Sequence, residues 1–374
     1  MRNKKSEGPA GIKGLVRPNV LALTPYDAKE IPCLVKLDAN ESPYARPVGP
    51  GILKAVKTNR YPDPLAIDVR RAFAKRMLPA RTGMDWVLHG NGSDELIYNL
   101  ICTFGGPVVY PTPTFSMYGK IAQALGVKSA GVPLAGDFEI DDAGMLRALA
   151  GGKTGIAFIS RPNNPTGNSF SEEKILRIIG RAQGIVVVDE AYQPFSGKKS
   201  FLRHLGRHKN LAVLMTLSKV GFAALRVGFL AARPELIAEV NKVRLPFNVN
   251  SYSQAAAADA LRNFGRLEGG IRKVVSERKR VFEALSRMKG VTPYPSDANF
   301  ILFRVPLDPA KVYRLALKEG VLLRNLSPAV DGCLRVTIGT RKENSAFIES
   351  MKKMTSGGQA VKKSGTSGEK RVRK

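Results

Sequence analysis

Four short stretches of this 374-residue chain are apolar along almost their whole length: Ile156–Ser160 (IAFIS), Ile185–Asp189 (IVVVD), residues 212–217 (AVLMTL) and residues 227–231 (VGFLA). A strand with one wet face alternates. A strand apolar throughout is covered on both faces, as parallel strands between helices are. Helical patterns lie between these runs. Residues 171–183 (SEEKILRIIGRAQ) pair an N-cap serine, Ser171, with Glu172 and Glu173 in the first turn. Strand–helix alternation over residues 85–232 predicts a large α/β domain with a mostly parallel sheet. After Pro246 the texture changes. A long amphipathic helix over 268–288 is followed by strand-like NFILFRV (299–305), a helix over 309–319 and strand-like CLRVTIG (333–339). That order predicts a smaller α+β domain. The domains are expected at 51–245 (large) and 246–355 (small), after an N-terminal arm, 1–50. Residues 12–45 of that arm are expected to pack on the small domain or on a partner subunit. The Gly/Ser/Lys-rich end, 356–374, lacks the apolar surface to order itself and is expected to be a disordered basic tail.

The formal net charge is +28, which raises the question of nucleic acid. The excess is spread along the chain, and no RGG run, RNP-type strand or zinc finger accompanies it. Anionic substrates explain it as well, and nucleic acid is not expected as a partner. No apolar run approaches the ~20 residues of a membrane helix, and the N-terminus lacks the apolar core of a secretory signal. A cytoplasmic protein is expected. Cys33, Cys102 and Cys333 have no metal-binding or disulfide spacing. His204 and His208, in a basic stretch, are expected to be a solvated surface pair.

The chemistry gathers at strand ends. Lys219 closes AVLMTLSK at the end of a buried strand, flanked by the polar Thr216 and Ser218. The carboxyl edge of a parallel sheet is where α/β sites form, and a lysine held in an apolar site can act as a Schiff-base nucleophile. Asp189 ends IVVVD. A carboxylate there is costly without a cationic partner, which could be Arg or Lys, a metal, or a protonated ring nitrogen. Tyr192 is close enough to reach the same cavity. RPNNPTG (161–167) makes a tight turn at the same edge. HGNGSDELIYNLI (89–101) places a Gly-rich turn before a helix start, an anion site. Ser93 is expected to cap that helix. Asp94 and Glu95 must turn away from any phosphate, and Arg226 can supply the compensating cation. A Schiff-base lysine, a buried carboxylate, a phenol, an amide and a phosphate cup together meet the requirements of pyridoxal 5′-phosphate (PLP).

The chain resembles the histidinol-phosphate aminotransferase family, within the class I/II, fold type I PLP aminotransferases. The likeness spans residues 12–354. It rests on VRPNVLALTPY, LDANESPY, RYPDP, GNGSDELI, YPTPTFSMY, RPNNPTG, VVVDEAY, TLSKVGFAALRVG, PFNVN, SDANFILFR and LRVTIGT, in family order. The resemblance implies roles for matching residues. Lys219 would hold the cofactor, Asp189 would face its ring nitrogen, and Tyr192 and Asn164 its ring oxygen. Gly92, Ser93, Asp94, Thr216, Ser218 and Arg226 would surround its phosphate. Phe115 would stack on the ring, where relatives often carry Tyr. Tyr61 would reach the neighbouring subunit's phosphate in a homodimer. Arg335 would grip the anionic end of the substrate, with Tyr26, Asn40, Asn299 and Arg324 around it. The implied reaction exchanges an amino group between L-glutamate and imidazole-acetol phosphate in histidine biosynthesis. Alternatives on the same fold are an aromatic or broad-specificity aminotransferase and a decarboxylase of a phosphorylated amino acid.

Overall fold

A computed structural model describes residues 12–25, 30–44, 48–150, 155–327 and 329–356. Tyr26 and the tail beyond residue 356 lie outside the described residues, so the expectations placed on them do too. The strands, in chain order, are β1 (Val35–Lys36), β2 (Val87–Asn91), β3 (Val108–Thr112), β4 (Ser129–Pro133), β5 (Ile156–Ser160), β6 (Ile185–Asp189), β7 (Leu211–Thr216), β8 (Val227–Ala232), β9 (Thr292–Pro293), β10 (Phe300–Arg304), β11 (Val321–Leu322), β12 (Arg324–Asn325) and β13 (Cys333–Thr337).

Seven of them form one sheet in the order β2-β8-β7-β6-β5-β3-β4. β5 and β8 are buried at every position and β6 and β7 at all but one, which is why they read as unbroken apolar runs. The sheet is mostly parallel, as the patterning predicts, with one reversal. β8 was expected to run parallel with the others, and it pairs antiparallel with both β7 and β2. The reason is connection length. Few residues separate Thr216 from Val227, fewer than a parallel crossover requires, so the chain doubles back. The reversal matters for chemistry. It brings Arg226, just before β8, to the edge where β5, β6 and β7 end.

A second sheet, β12-β13-β10-β9, is antiparallel throughout. The helices Glu268–Ser286, Pro309–Lys318 and Arg341–Ser356 pack around it. Asp308 caps the second of these, accepting from the backbone N–H groups of Ala310 and Lys311. The helix Ser251–Arg262, past the texture change at Pro246, packs instead on the helix Ile67–Met77 beside the large sheet. The N-terminal segment also divides its contacts. β1 pairs with β11, whereas Arg17 and Asn19 donate to the Ala124 carbonyl, Asn19 also to that of Gln123, at the end of the helix Met117–Leu125 on the large sheet.

His204 corrects an expectation. It is 8% exposed, with Nε2 3.3 Å from a Glu172 carboxylate oxygen. The partner lies far away in sequence, at the start of the helix Glu172–Arg181, and a local reading cannot see it. Burial holds the His204 ring below its ordinary pKa against the pull of Glu172.

Candidate functional site

β5, β6 and β7 end side by side at Ser160, Asp189 and Thr216, with Ser160 paired to Asp189 in register. Asp189 is 4% exposed. Its Oδ2 accepts from the Tyr118 hydroxyl at 2.8 Å and its Oδ1 from the backbone N–H of Ala191 at 3.0 Å. These groups take the place of the Arg or Lys that the sequence left open. Burial pushes the Asp189 carboxyl up from its ordinary range, and both donated hydrogen bonds pull it back. No cluster of three metal-ligating side chains occurs among the described residues. Tyr118, wholly buried, is a site residue the sequence reading passed over. Its only signal was its place as the last residue of YPTPTFSMY.

Lys219 projects from the turn Ser218–Phe222, which is kinked at Val220 and Gly221. Its Nζ donates to the Ala39 carbonyl at 3.5 Å and lies 5.8 Å from the centre of the Tyr192 ring. The Tyr192 hydroxyl accepts from Asn40 Nδ2 at 3.0 Å. Arg335, on β13, is 8% exposed. It donates to Asn164 Oδ1 at 2.5 Å and to the Asp38 carbonyl at 2.7 Å, and its guanidinium lies over the Phe300 ring. Lys219, Tyr192, Asn40, Asn164, Phe115 and Arg335 thus line one cavity of about 1480 Å³. Arg324 lines it too, exposed and directly across the strand pair from Arg335. Asn299 does not line it. It is fully buried and donates to the Asn40 carbonyl at 3.0 Å, so it reaches the cavity only through Asn40.

At the same edge the helix Gly92–Phe104 starts behind β2. It begins at Gly92, and Ser93 lies inside the first turn instead of capping it. The cap expected of Ser93 is supplied by Glu95, whose carboxylate accepts the Asn91 backbone N–H and is itself held by the Asn248 amide. Glu95 therefore points back along the chain, as a nearby anion site requires. Asp94 turns toward Arg226, 3.5 Å away. The Arg226 guanidinium also donates to Ser218 Oγ at 3.4 Å, and Thr216 Oγ1 donates to the same oxygen at 2.9 Å. Two glycines make this corner possible. A Cβ on Gly228 would sit 2.6 Å from the Gly92 and Ser93 backbone. One on Gly92, whose φ is +78°, would meet the Arg226 guanidinium at 2.5 Å. Tyr61 stands apart. It is 81% exposed and stacks on Phe247, with centroids 4.6 Å apart, and it does not line the cavity.

These residues fit PLP. The cradle at Gly92 and Gly228 leaves backbone N–H groups at a helix start beside a cation, the setting for a phosphate. The carboxylate at Asp189 suits a protonated ring nitrogen, and Phe115 offers an aromatic face. Lys219 stands at the same sheet edge. Fold and site together define a fold type I transferase, the architecture of the PLP-dependent aminotransferases. The chain belongs to the aminotransferase class I and II family, which matches residues 24–351. It is 42% identical over 351 residues to histidinol-phosphate aminotransferase 2 of Nitrosococcus oceani, covering 90% of this chain and 96% of that one. It is 40% identical to the histidinol-phosphate aminotransferase of Polaromonas naphthalenivorans, covering 91% and 96%. Its fold matches the crystal structure of the Sinorhizobium meliloti histidinol-phosphate aminotransferase in complex with pyridoxal-5′-phosphate, with a TM-score of 0.79, 22% identity and coverage of 91% and 97%. No helix among the described residues is long and apolar enough to cross a membrane.

Proposed function

We propose that this chain is a PLP-dependent histidinol-phosphate aminotransferase, exchanging an amino group between L-glutamate and imidazole-acetol phosphate in histidine biosynthesis. The observation that carries the chemistry is the shared edge: a buried carboxylate, Asp189, and a lysine, Lys219, brought together by adjacent strands. The choice of substrate is supported by relatives of that name at about 40% identity over nine-tenths of the chain.

When bound, PLP supplies an electron sink for the substrate α-carbon. Asp189 holds the ring nitrogen's proton by its charge. Lys219 anchors the cofactor and then moves a proton at the substrate α-carbon, acting as base and acid in turn. Tyr192, held by Asn40, and Asn164 orient the ring oxygen. The backbone at Gly92, Ser93 and Asp94 and the side chains of Thr216, Ser218 and Arg226 would form the phosphate cup, and Phe115 would cover the ring. Arg335 grips the substrate's anionic end through its planar fork, with Arg324 nearby for a phosphate. The positive charge of the chain draws both anionic substrates in.

The working unit on this reading is a cytoplasmic homodimer in which Tyr61 reaches the neighbour's site. Its support is the stack of Tyr61 on Phe247 beside Leu245, which is 71% exposed. Mixing inactive Lys219→Ala and Tyr61→Ala subunits should restore part of the activity. A fully active monomer in sedimentation would rule the dimer role out. The function is tested with purified chain, PLP, glutamate and a panel of keto acceptors. Turnover should be fastest with imidazole-acetol phosphate, and Lys219→Ala should lose both turnover and the absorbance that belongs to the lysine-linked cofactor. Preference for an aromatic keto acid would instead assign a broad-specificity aminotransferase.

A further inference from the structure

The mechanism just proposed leaves Tyr118 unused, yet this side chain is in contact with the residue on which the chemistry depends. Tyr118 sits in the first turn of the helix Met117–Leu125 and is 0% exposed. Its ring stacks on Phe158 with centroids 4.8 Å apart and planes 10° from parallel. The edge of the same ring meets Phe115, the residue proposed to cover the cofactor, at 5.6 Å and 86°. Stacked on one side and edge-on to another ring, the phenol has little freedom to turn. Its hydroxyl meets Asp189 Oδ2 at 2.8 Å, while Ala191 N–H fixes Oδ1. Both carboxylate oxygens are therefore held from the protein side, one by a helix 71 residues away in sequence and one by the backbone two residues on.

Burial alone would drive Asp189 toward the neutral acid, which cannot balance a protonated ring nitrogen. A donated hydrogen bond favours the charged form. Burial and the facing carboxylate hold the Tyr118 hydroxyl well above its ordinary pKa, so it remains a donor across the working range.

We propose that Tyr118 is a positioning residue of the cofactor site: its hydroxyl keeps Asp189 ionised and aimed, and through it sets how firmly the cofactor's ring nitrogen holds its proton. The proposal rests on the reading of the site given above. It also links two parts of the site, because the helix that carries Tyr118 begins just after Phe115. A shift of that helix would move the ring cover and the carboxylate's partner together.

The test is Tyr118→Phe in the holoenzyme, alone and combined with Asp189→Asn. Phenylalanine keeps the stack on Phe158 and removes only the hydroxyl. Expected are an unchanged thermal midpoint to within a few degrees, a kcat roughly 10-fold lower with KM for glutamate within about twofold, and a shifted pH midpoint in the visible absorbance of the bound cofactor. PLP affinity, measured by fluorescence quenching during titration into apoprotein, should fall severalfold. In the Asp189→Asn background the same substitution should change kcat and the absorbance midpoint little, because the partner whose charge it supports is gone. Unchanged kcat and absorbance midpoint in Tyr118→Phe would overturn the proposal. So would equal losses with and without Asp189, which would mark Tyr118 as a packing residue only. A Lys219→Ala chain that keeps turnover and the absorbance of the lysine-linked cofactor would instead sink the site assignment, and it leaves a different signature from either.

Discussion

Asp189 and Arg226 stand at the same edge of one sheet, in opposite environments. Asp189 is 4% exposed and both its oxygens are engaged by the protein. Arg226 and its partner Asp94 are 47% and 45% exposed and meet at 3.5 Å. A half-exposed ion pair contributes about 0–1 kcal/mol, so on the proposed function Arg226 can exchange Asp94 for a ligand anion at little cost. A buried charge is different. Its state is fixed by a few neighbours, and losing one is expensive. On the proposed function, one end of the site sets electronic properties and the other holds the ligand's anion.

If that contrast is right, the largest effect belongs to the buried end. Asp189→Asn should lower kcat by about 10³-fold, roughly 4 kcal/mol of transition-state stabilisation, while PLP still binds through its lysine and phosphate. Stopped-flow half-reactions with glutamate would show it, and near-normal rates would dissolve the distinction between the two ends. Arg335→Lys comes next. It keeps a positive charge and loses the fork that spans Asn164 and Asp38. KM for glutamate and for the phosphorylated substrate should rise together, by about 10-fold or more, with the cofactor spectrum intact. Unchanged KM values for both would mean that the cavity recognises anions through Arg324 or another group.

Arg226→Gln probes the exposed end. Cofactor affinity should weaken by about 10- to 100-fold, the loss of one charge-assisted hydrogen bond, and excess PLP should restore most of kcat. A kcat defect that survives saturation would place Arg226 with the buried group. The smallest effect concerns Glu190, next to Asp189 in sequence and 1% exposed. It accepts from Ser200 Oγ at 2.5 Å and from the Phe201 backbone N–H at 2.7 Å. Burial raises its pKa to about 7 against those bonds and Arg161. With the folded value above the unfolded one, its stabilising contribution is complete below the ordinary carboxylate range and is lost as pH rises through about 7. Glu190→Gln should therefore reduce the fall in thermal midpoint between pH 5 and pH 8 by roughly a few degrees. An identical fall in both proteins would show that Glu190 is ionised at the lower pH already.

Much of this was legible along the chain because the relevant physics is local. An apolar run must be covered on both faces, and its end marks a sheet edge, so β5, β6 and β7 announced where Asp189 and Lys219 would stand. The Ser171 cap is real, its hydroxyl accepting from Lys174 N–H, for the same reason: its donor and acceptor are three residues apart. Tertiary structure decided what depended on partners distant in sequence. Tyr118 reaches Asp189 across 71 residues, Glu172 reaches His204 across 32, and Asn299 reaches Asn40 across 259. It also decided the direction of β8, which no run of apolar residues encodes, since a strand covered on both faces looks the same whichever way it runs. Hydrophobic pattern specifies which face is buried and where an element stops. The state of a buried charge depends on what the folded chain places within about 3 Å of it, the reach of a hydrogen bond.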